Sequence, residues 1–431
     1  MKKATISNRI YLRCEKDSLL ESQLLKELKF EINQMPVSPY PTVINLVTRI
    51  TDNVVSIPKG CEHLIPEDYE VNDKRVFPEV RIPKLKATLR DDQDKAQKNI
   101  TGSGRIDAKP GWGKTFAGLK HAENLQTKTL IITTTTGIRD QWIQEIKEFM
   151  GFSPGVIGGG KFNIESPIVV GNIQTVRNRL EKLKREFGLV IIDEVHRASA
   201  PTFNYVLDTM HNKYSLGLSG TMKRKDGLHV VLPAYFGKEL FHGKDENRLT
   251  PVVHLWQSHQ ELSSNTFIPW AERITQLLGN PAYREEILGI VHYYLKKGHK
   301  ILITADRTEF LEDLHLCLPD DSFIITGKIK ERQKIIDTII KSSRPLALFA
   351  TQSIFSEGIS VNPLSVIIPA TPISNDPLLE QLIGRIQRPY EGKTDTPIAA
   401  DIAVGGQTGK RQANGRKRFY INKGWTIKKM N

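Results

Sequence analysis

Ala108-Lys109-Pro110-Gly111-Trp112-Gly113-Lys114-Thr115 is a glycine-bracketed loop that ends in a lysine and a hydroxyl. Gly111 and Gly113 allow successive backbone N–H groups to converge on phosphate oxygens, and the positive end of a following helix adds to that field. Lys114 is placed to reach the β- and γ-phosphates, and the Thr115 hydroxyl to bind magnesium. Taken alone, the loop could also be an ordinary strand-to-helix turn.

Working outward, Leu189 to Ile192 is a continuous apolar run followed by Asp193 and Glu194. A strand covered on both faces reads this way, and parallel sheets carry their ligands at the ends of such strands. Asp193 suits the shell of a metal ion, and Glu194 suits orienting or deprotonating an attacking water. A chance pair of acids loses weight because the phosphate loop supplies something for them to act on. Much later comes Gln381, Gly384, Arg385 and Arg388. If Glu380 to Arg388 is helical at about 100° per residue, Leu379, Leu382, Ile383 and Ile386 share one side, with Gln381, Arg385 and Arg388 opposite. Such a stripe is either a solvated face or a set of cations meeting a triphosphate, where arginine stabilises developing charge.

From about residue 87 short apolar runs alternate with helical stretches. The runs are Thr129 to Thr133, Pro167 to Val170, Leu189 to Ile192 and Ser215 to Leu218, then Ile301 to Ala305, Phe323 to Ile325, Leu346 to Ala350, Val366 to Pro369 and Ile398 to Val404. This alternation predicts two consecutive parallel-sheet α/β domains with a nucleotide cleft between them, at residues 87–245 and 246–431. Residues 1–86 differ: an apparent capping box, Ser18-x-x-Glu21, opens a leucine-rich amphipathic helix, and seven prolines between Pro36 and Pro83 break the rest into short pieces. A small α+β accessory domain, directed at the substrate, is expected there.

The 431 residues are 39% hydrophobic and 25% charged, a balance suited to globular domains of ordinary size. Three scattered cysteines, no apolar signal segment and no membrane-length run predict a reducing, cytoplasmic setting. The net charge of +13 favours a polyanionic partner. From Ile402 to Asn431 there are eight basic residues and no acidic ones, interleaved with Phe419, Tyr420 and Trp425. Cations that follow phosphates and rings that stack on bases predict nucleic-acid contact by Lys410, Arg416 and Lys417; a basic helix packed by its aromatics is the alternative.

These residues resemble the superfamily 2 helicases and translocases over about residues 87–400. Leu89-Arg90-Asp91-Asp92-Gln93 is similar to the Q-motif, Ala108 to Thr115 to motif I, Thr133 to Trp142 to motif Ia and Gly171 to Thr175 to motif Ib. Asp193-Glu194-Val195-His196 resembles the DEAD/DEAH box, Ser219-Gly220-Thr221 motif III, Ala350 to Pro363 motif V and Gln381 to Arg388 motif VI. Arg224 to Gly227 and the form of motif VI bring the chain closest to phage branch-migration DNA helicases of the UvsW type and to XPB-like helicases. Asp92 stands where an aromatic residue is common, Gly220 where alanine is, and Ala108 where glycine is.

The resemblance implies two tandem RecA-like domains and an ATP- and magnesium-dependent motor acting on branched or forked DNA, in the host cytoplasm if the gene is a phage's. It further implies that Gln93 reads adenine, that Gly358 borders the nucleotide, and that His196, Ser219 and Thr221 couple hydrolysis to movement. It gives Thr135, Arg139, Gln174, Thr175, Arg307 and Thr351 to the nucleic-acid backbone. An RNA helicase with the same engine is the alternative. A guanine-nucleotide switch would require Asn-Lys-x-Asp, whereas Asn212-Lys213 continues as Tyr214-Ser215.

Overall fold

The computed structural model describes residues 2–32, 41–109, 112–195, 200–220, 227–243, 248–327, 329, 331–353, 361–394 and 396–430. The chain divides into two compact units, Met1–Asp245 and Glu246–Asn431.

The first unit opens with a five-stranded sheet in the order Thr48–Thr51, Val54–Ile57, Ile10–Arg13, Lys2–Ile6, Tyr69–Asp73. Alternation turns Ala4, Ile6, Ile10 and Leu12 inward. The helix Leu19–Leu28 begins where the Ser18 hydroxyl accepts from Glu21 N, and it buries Leu24 and Leu28. Arg9 pairs with Asp208 at 2.6 Å, and the Lys59 ammonium donates to Met210 O and Asn212 Oδ1, both at 2.6 Å. The change of composition near residue 86 thus marks a passage between sheets inside one unit.

The second sheet of this unit has eight strands in the order Lys161–Phe162, Gly155–Gly158, Ile168–Asn172, Thr129–Thr133, Leu189–Ile192, Tyr214–Ser219, Gly104–Ala108, Leu240–Gly243. All neighbours are parallel except the first pair. Its central strands are apolar throughout because alternate residues enter different layers. Leu189 and Ile191 face the helices Lys114–Leu125 and Thr136–Met150, whereas Val190 and Ile192 join the cluster that includes the N-terminal sheet.

The other unit is built on seven strands, ordered Ser322–Ile325, Leu346–Thr351, Lys300–Ala305, Val366–Pro369, Ile398–Gly405, Val252–Glu261, Ile427–Met430. Every neighbouring pair is parallel. Ile301 and Ile303 pack on one face with the helix Pro281–Lys296, and Leu302 and Leu348 on the other with the helix Asp376–Ile383. Val252–Glu261 lies beyond the runs read from sequence, because polar residues interrupt it and only Val253 and Ser258 are buried, so no apolar block forms. Among the described residues, no helix is long and apolar enough to cross a membrane.

Candidate functional site

Parallel strands end on one edge, so loops distant in sequence are brought together there. In the first unit that edge receives the loop after Ala108, the acids after Ile192, and the chain after Thr133, Asn172 and Ser219.

Gly113 has φ 92° and caps the helix Lys114–Leu125. A Cβ at Gly113 would collide with the Gln93 amide, so the left-handed backbone and the close approach both require glycine. The Lys114 ammonium donates to Ala108 O at 2.8 Å and lies 4.0 Å from a Glu194 carboxylate oxygen. Thr115, in the first turn, is half-buried.

Trp112 is fully buried, and its surroundings account for Asp92. The indole N–H donates to Asp92 Oδ2 at 2.5 Å, and Trp112 O accepts from Gln93 Nε2 at 2.7 Å and from Arg90 at 2.6 Å. Gln93 Oε1 accepts from Arg90 N at 3.0 Å. Both ends of the Gln93 amide are therefore engaged by backbone groups, and residues 90–93 clamp the phosphate loop through its tryptophan.

Asp193 is buried, with Oδ2 accepting from Trp142 Nε1 at 2.8 Å and Oδ1 from Glu194 N at 2.8 Å. Burial and then the Glu194 charge push its pKa up to about 6, against the opposing Lys114 charge and those two donors. Glu194 has φ 51°, a conformation that costs an L-residue roughly 1–2 kcal/mol and marks functional sites when neighbours enforce it. Val195 N donates to Leu218 O, joining this turn to the strand that ends in fully buried Ser219. Asp193 and Thr115 offer hard oxygen donors from one sheet edge. Two such protein ligands fit magnesium, which keeps water and phosphate oxygens for the rest of its shell.

Trp142 had no role in the sequence reading, yet it bridges the helix Thr136–Met150 and Asp193, and its ring packs over Gly118 of the helix Lys114–Leu125. Trp142→Phe is expected to lower unfolding stability by about 1.5–3 kcal/mol near pH 8, where the carboxylate is ionised. The donor favours the ionised form, so the loss should shrink near pH 5, below the folded-state value. Urea titrations at both pH values would detect this, and an equal loss at both would remove the role.

Thr135 caps the helix Thr136–Met150, its hydroxyl accepting from Ile138 N at 3.3 Å. Arg139 pairs with Asp140 at 2.7 Å and lies against Gly158, with the Thr175 hydroxyl on the same glycine. Gln174 is exposed. These groups share the carboxyl edge with the acids.

Arg307 donates to Ala271 O at 2.8 Å and Thr275 Oγ1 at 3.0 Å, and the Thr351 hydroxyl lies 3.4 Å from Ser353 Oγ. The helix holding Gln381 stops at Ile383, not Arg388, and i→i−3 bonds from Arg385 N to Leu382 O and from Ile386 N to Ile383 O tighten the chain. The 3.6-residue arithmetic therefore fails after Gly384. The expected apolar residues are buried, but so are Gln381 and Arg385, at 9% and 6% exposure. A solvated stripe is thus excluded. Gln387, which the sequence did not single out, fastens this segment to Leu249 through N–H···O bonds of 2.9 and 3.1 Å.

Lys410 and Lys417 are exposed on the helix Gly406–Asn422. Arg416 is not: its guanidinium makes bonds of 2.7 and 2.8 Å to Asp401, and Tyr420 donates to the same carboxylate at 2.7 Å. Its assignment to nucleic acid is corrected, because the charge is consumed inside the fold. Gly111, His196, Thr221 and Gly358 lie outside the described residues. Among the described residues no cluster of three or more His, Cys, Asp or Glu could hold a metal.

Residues 85–224 match the family model described as the res subunit of type III restriction enzymes. The probable helicase D10 of Escherichia phage T5 is 41% identical over 98% of this chain and 95% of its own length. A putative ATP-dependent RNA helicase, L396 of Acanthamoeba polyphaga mimivirus, is 26% identical over 96% and 84%. The ATP-dependent DNA helicase uvsW of Enterobacteria phage T4 is 24% identical over 69% and 64%. In fold, the chain is similar to S. cerevisiae Dbp5 bound to RNA and ADP BeF3, with a TM-score of 0.57 over 79% of this chain and 89% of that one at 13% identity.

Proposed function

We propose, for a chain that belongs to the superfamily 2 helicases, a motor that moves along DNA and acts on branched or forked junctions, in branch migration, recombination or repair of replication forks. That it is an ATP-hydrolysing helicase with tandem RecA-like domains follows from its family. The track and the junction are our reading.

The observation that carries the hydrolytic part is the meeting of Lys114, Asp193 and Glu194 on one edge, with Glu194 held 4.0 Å from Lys114 in a strained turn. Lys114 and the loop N–H groups would bind the β- and γ-phosphates; Glu194 would hold the attacking water and take its proton. Magnesium, held by Asp193 and Thr115, would neutralise phosphate charge. Arg385 and Arg388 would complete the site from the second unit once ATP draws the units together, and release would let them step along a strand. Thr135, Arg139, Gln174, Thr175, Arg307 and Thr351 would grip phosphates without reading sequence. Lys410 and Lys417, with no carboxylate in their helix, would add electrostatic affinity.

DNA as the track is supported by the T4 DNA helicase among the relatives; the mimivirus protein's name supports the RNA alternative. The test is the ATPase rate with single-stranded DNA, forks, four-way junctions and single-stranded RNA. The proposal expects the largest stimulation from junctions, and equal or greater stimulation by RNA would contradict it.

A further inference from the structure

The most exposed large apolar side chain among the described residues is Phe267, at 95%. It lies in the loop between the strand Val252–Glu261 and the helix Trp270–Leu278, on the edge where the all-parallel sheet also ends in Arg307 and in the helix carrying Lys410.

The loop is built rather than slack. Leu262 is buried and donates to Gly405 O at 3.1 Å. Ser264 Oγ accepts from Thr408 N at 3.1 Å, fixing the loop to the start of the basic helix, and Ser263 O accepts from Arg273 at 3.2 Å. Asn265 Oδ1 accepts from Phe267 N and Asn265 O from Ile268 N, at 3.0 and 3.3 Å, so a tight turn presents the phenyl ring to solvent. Next to it Trp270 is 37% exposed, with the Arg273 guanidinium 5.3 Å from its ring. Arg307 is bonded to Ala271 and Thr275 of the same helix.

An exposed ring on a rigid turn, flanked by Arg273, Arg307 and the cations that begin at Lys410, combines base-stacking and phosphate-binding chemistry. Glu272 is the exposed carboxylate of that helix's first turn and sets a limit on how close a phosphate can lie. Glu261, Asp306 and Glu309 are also exposed on this edge, so its overall charge is balanced; what selects a polyanion with flat apolar faces is the ring's place on the same edge as Arg307 and Lys410, the cations proposed above to meet phosphates. We infer that Phe267 stacks on an unpaired base of single-stranded DNA held along this edge, with Trp270 as a second platform. The inference rests on the proposed DNA track.

The experiment is fluorescence anisotropy of a labelled oligodeoxythymidylate with the full chain and with Phe267→Ala, Phe267→Trp and Arg307→Gln, over a salt series. One lost stack weakens binding roughly 5- to 150-fold. Phe267→Ala should show that loss with an unchanged salt slope, Phe267→Trp should retain affinity, and Arg307→Gln should lower the slope by about one. At 95% exposure the alanine variant should keep the wild-type melting temperature. Wild-type affinity in Phe267→Ala overturns the inference and leaves the DNA track standing. An altered salt slope in that variant overturns it as well. No DNA binding by the wild-type chain would end both readings.

Discussion

Glu194→Gln is expected to lower the nucleic-acid-stimulated rate of ATP hydrolysis by roughly 10²- to 10⁴-fold, the usual contribution of a positioned general base. The amide keeps the volume and the left-handed backbone but cannot take up a proton. Lys114 is 4.0 Å from that carboxylate, so the swap also removes the partner that balances its charge at the loop. Nucleotide affinity should be retained, or raised, while turnover collapses. Lys114→Ala should differ in kind, losing phosphate binding as well as rate. A coupled ATPase assay beside titration of a fluorescent nucleotide separates the two. Wild-type turnover in Glu194→Gln would take the base assignment away.

The second large effect is structural. Arg416 and Asp401 are 6% and 3% exposed at their side chains, and the guanidinium also donates to Ile402 O and Ile373 O. Burial opposes the charge on Arg416, but the Asp401 carboxylate more than offsets it and holds the guanidinium protonated. Arg416→Met leaves a buried carboxylate without its cation, and should lower stability by about 3–5 kcal/mol. Because Ile373 lies just before the helix Asp376–Ile383, the loss should loosen the segment bearing Arg385 too. Replacing both Asp401 and Arg416 by leucine should recover much of the stability, since neither charge then remains buried alone. Urea unfolding of the single and double variants is the check; an unchanged midpoint in Arg416→Met, with weakened DNA binding, would restore the residue to the nucleic-acid surface.

The parallel sheets, and the meeting of the glycine loop with the two acids on one edge, were legible because they rest on local signals: apolar runs covered on both faces, a glycine loop ahead of a helix, acids at a strand's end. What depended on distant pairing was not. Gln93 was expected to read adenine and Asp92 stood as a departure from the motif, but no sequence signal ties them to Trp112, and the clamp forms only when the helix Asp91–Asn99 meets the loop. Trp142 entered only as the last residue of the motif Ia stretch, and its N–H found Asp193 across the sheet. Composition marked the chain from Ile402 onward as basic without revealing which cations point inward, so Arg416 was grouped with Lys410 and Lys417. Between Gln381 and Arg388, Ile386 prolonged the apolar period past Gly384, while the helix closes at Ile383 and the chain tightens into i→i−3 turns through a right-handed Gly384.

The central claim is that hydrolysis needs guanidinium groups from the second unit around phosphates held by the first. Single-turnover hydrolysis of bound ATP by Arg385→Ala, with nucleotide occupancy measured on the same sample, tests it most directly. The account predicts normal occupancy and a chemical step slowed about 10³- to 10⁵-fold, as for loss of an arginine finger. Hydrolysis at the wild-type rate with full occupancy would contradict it.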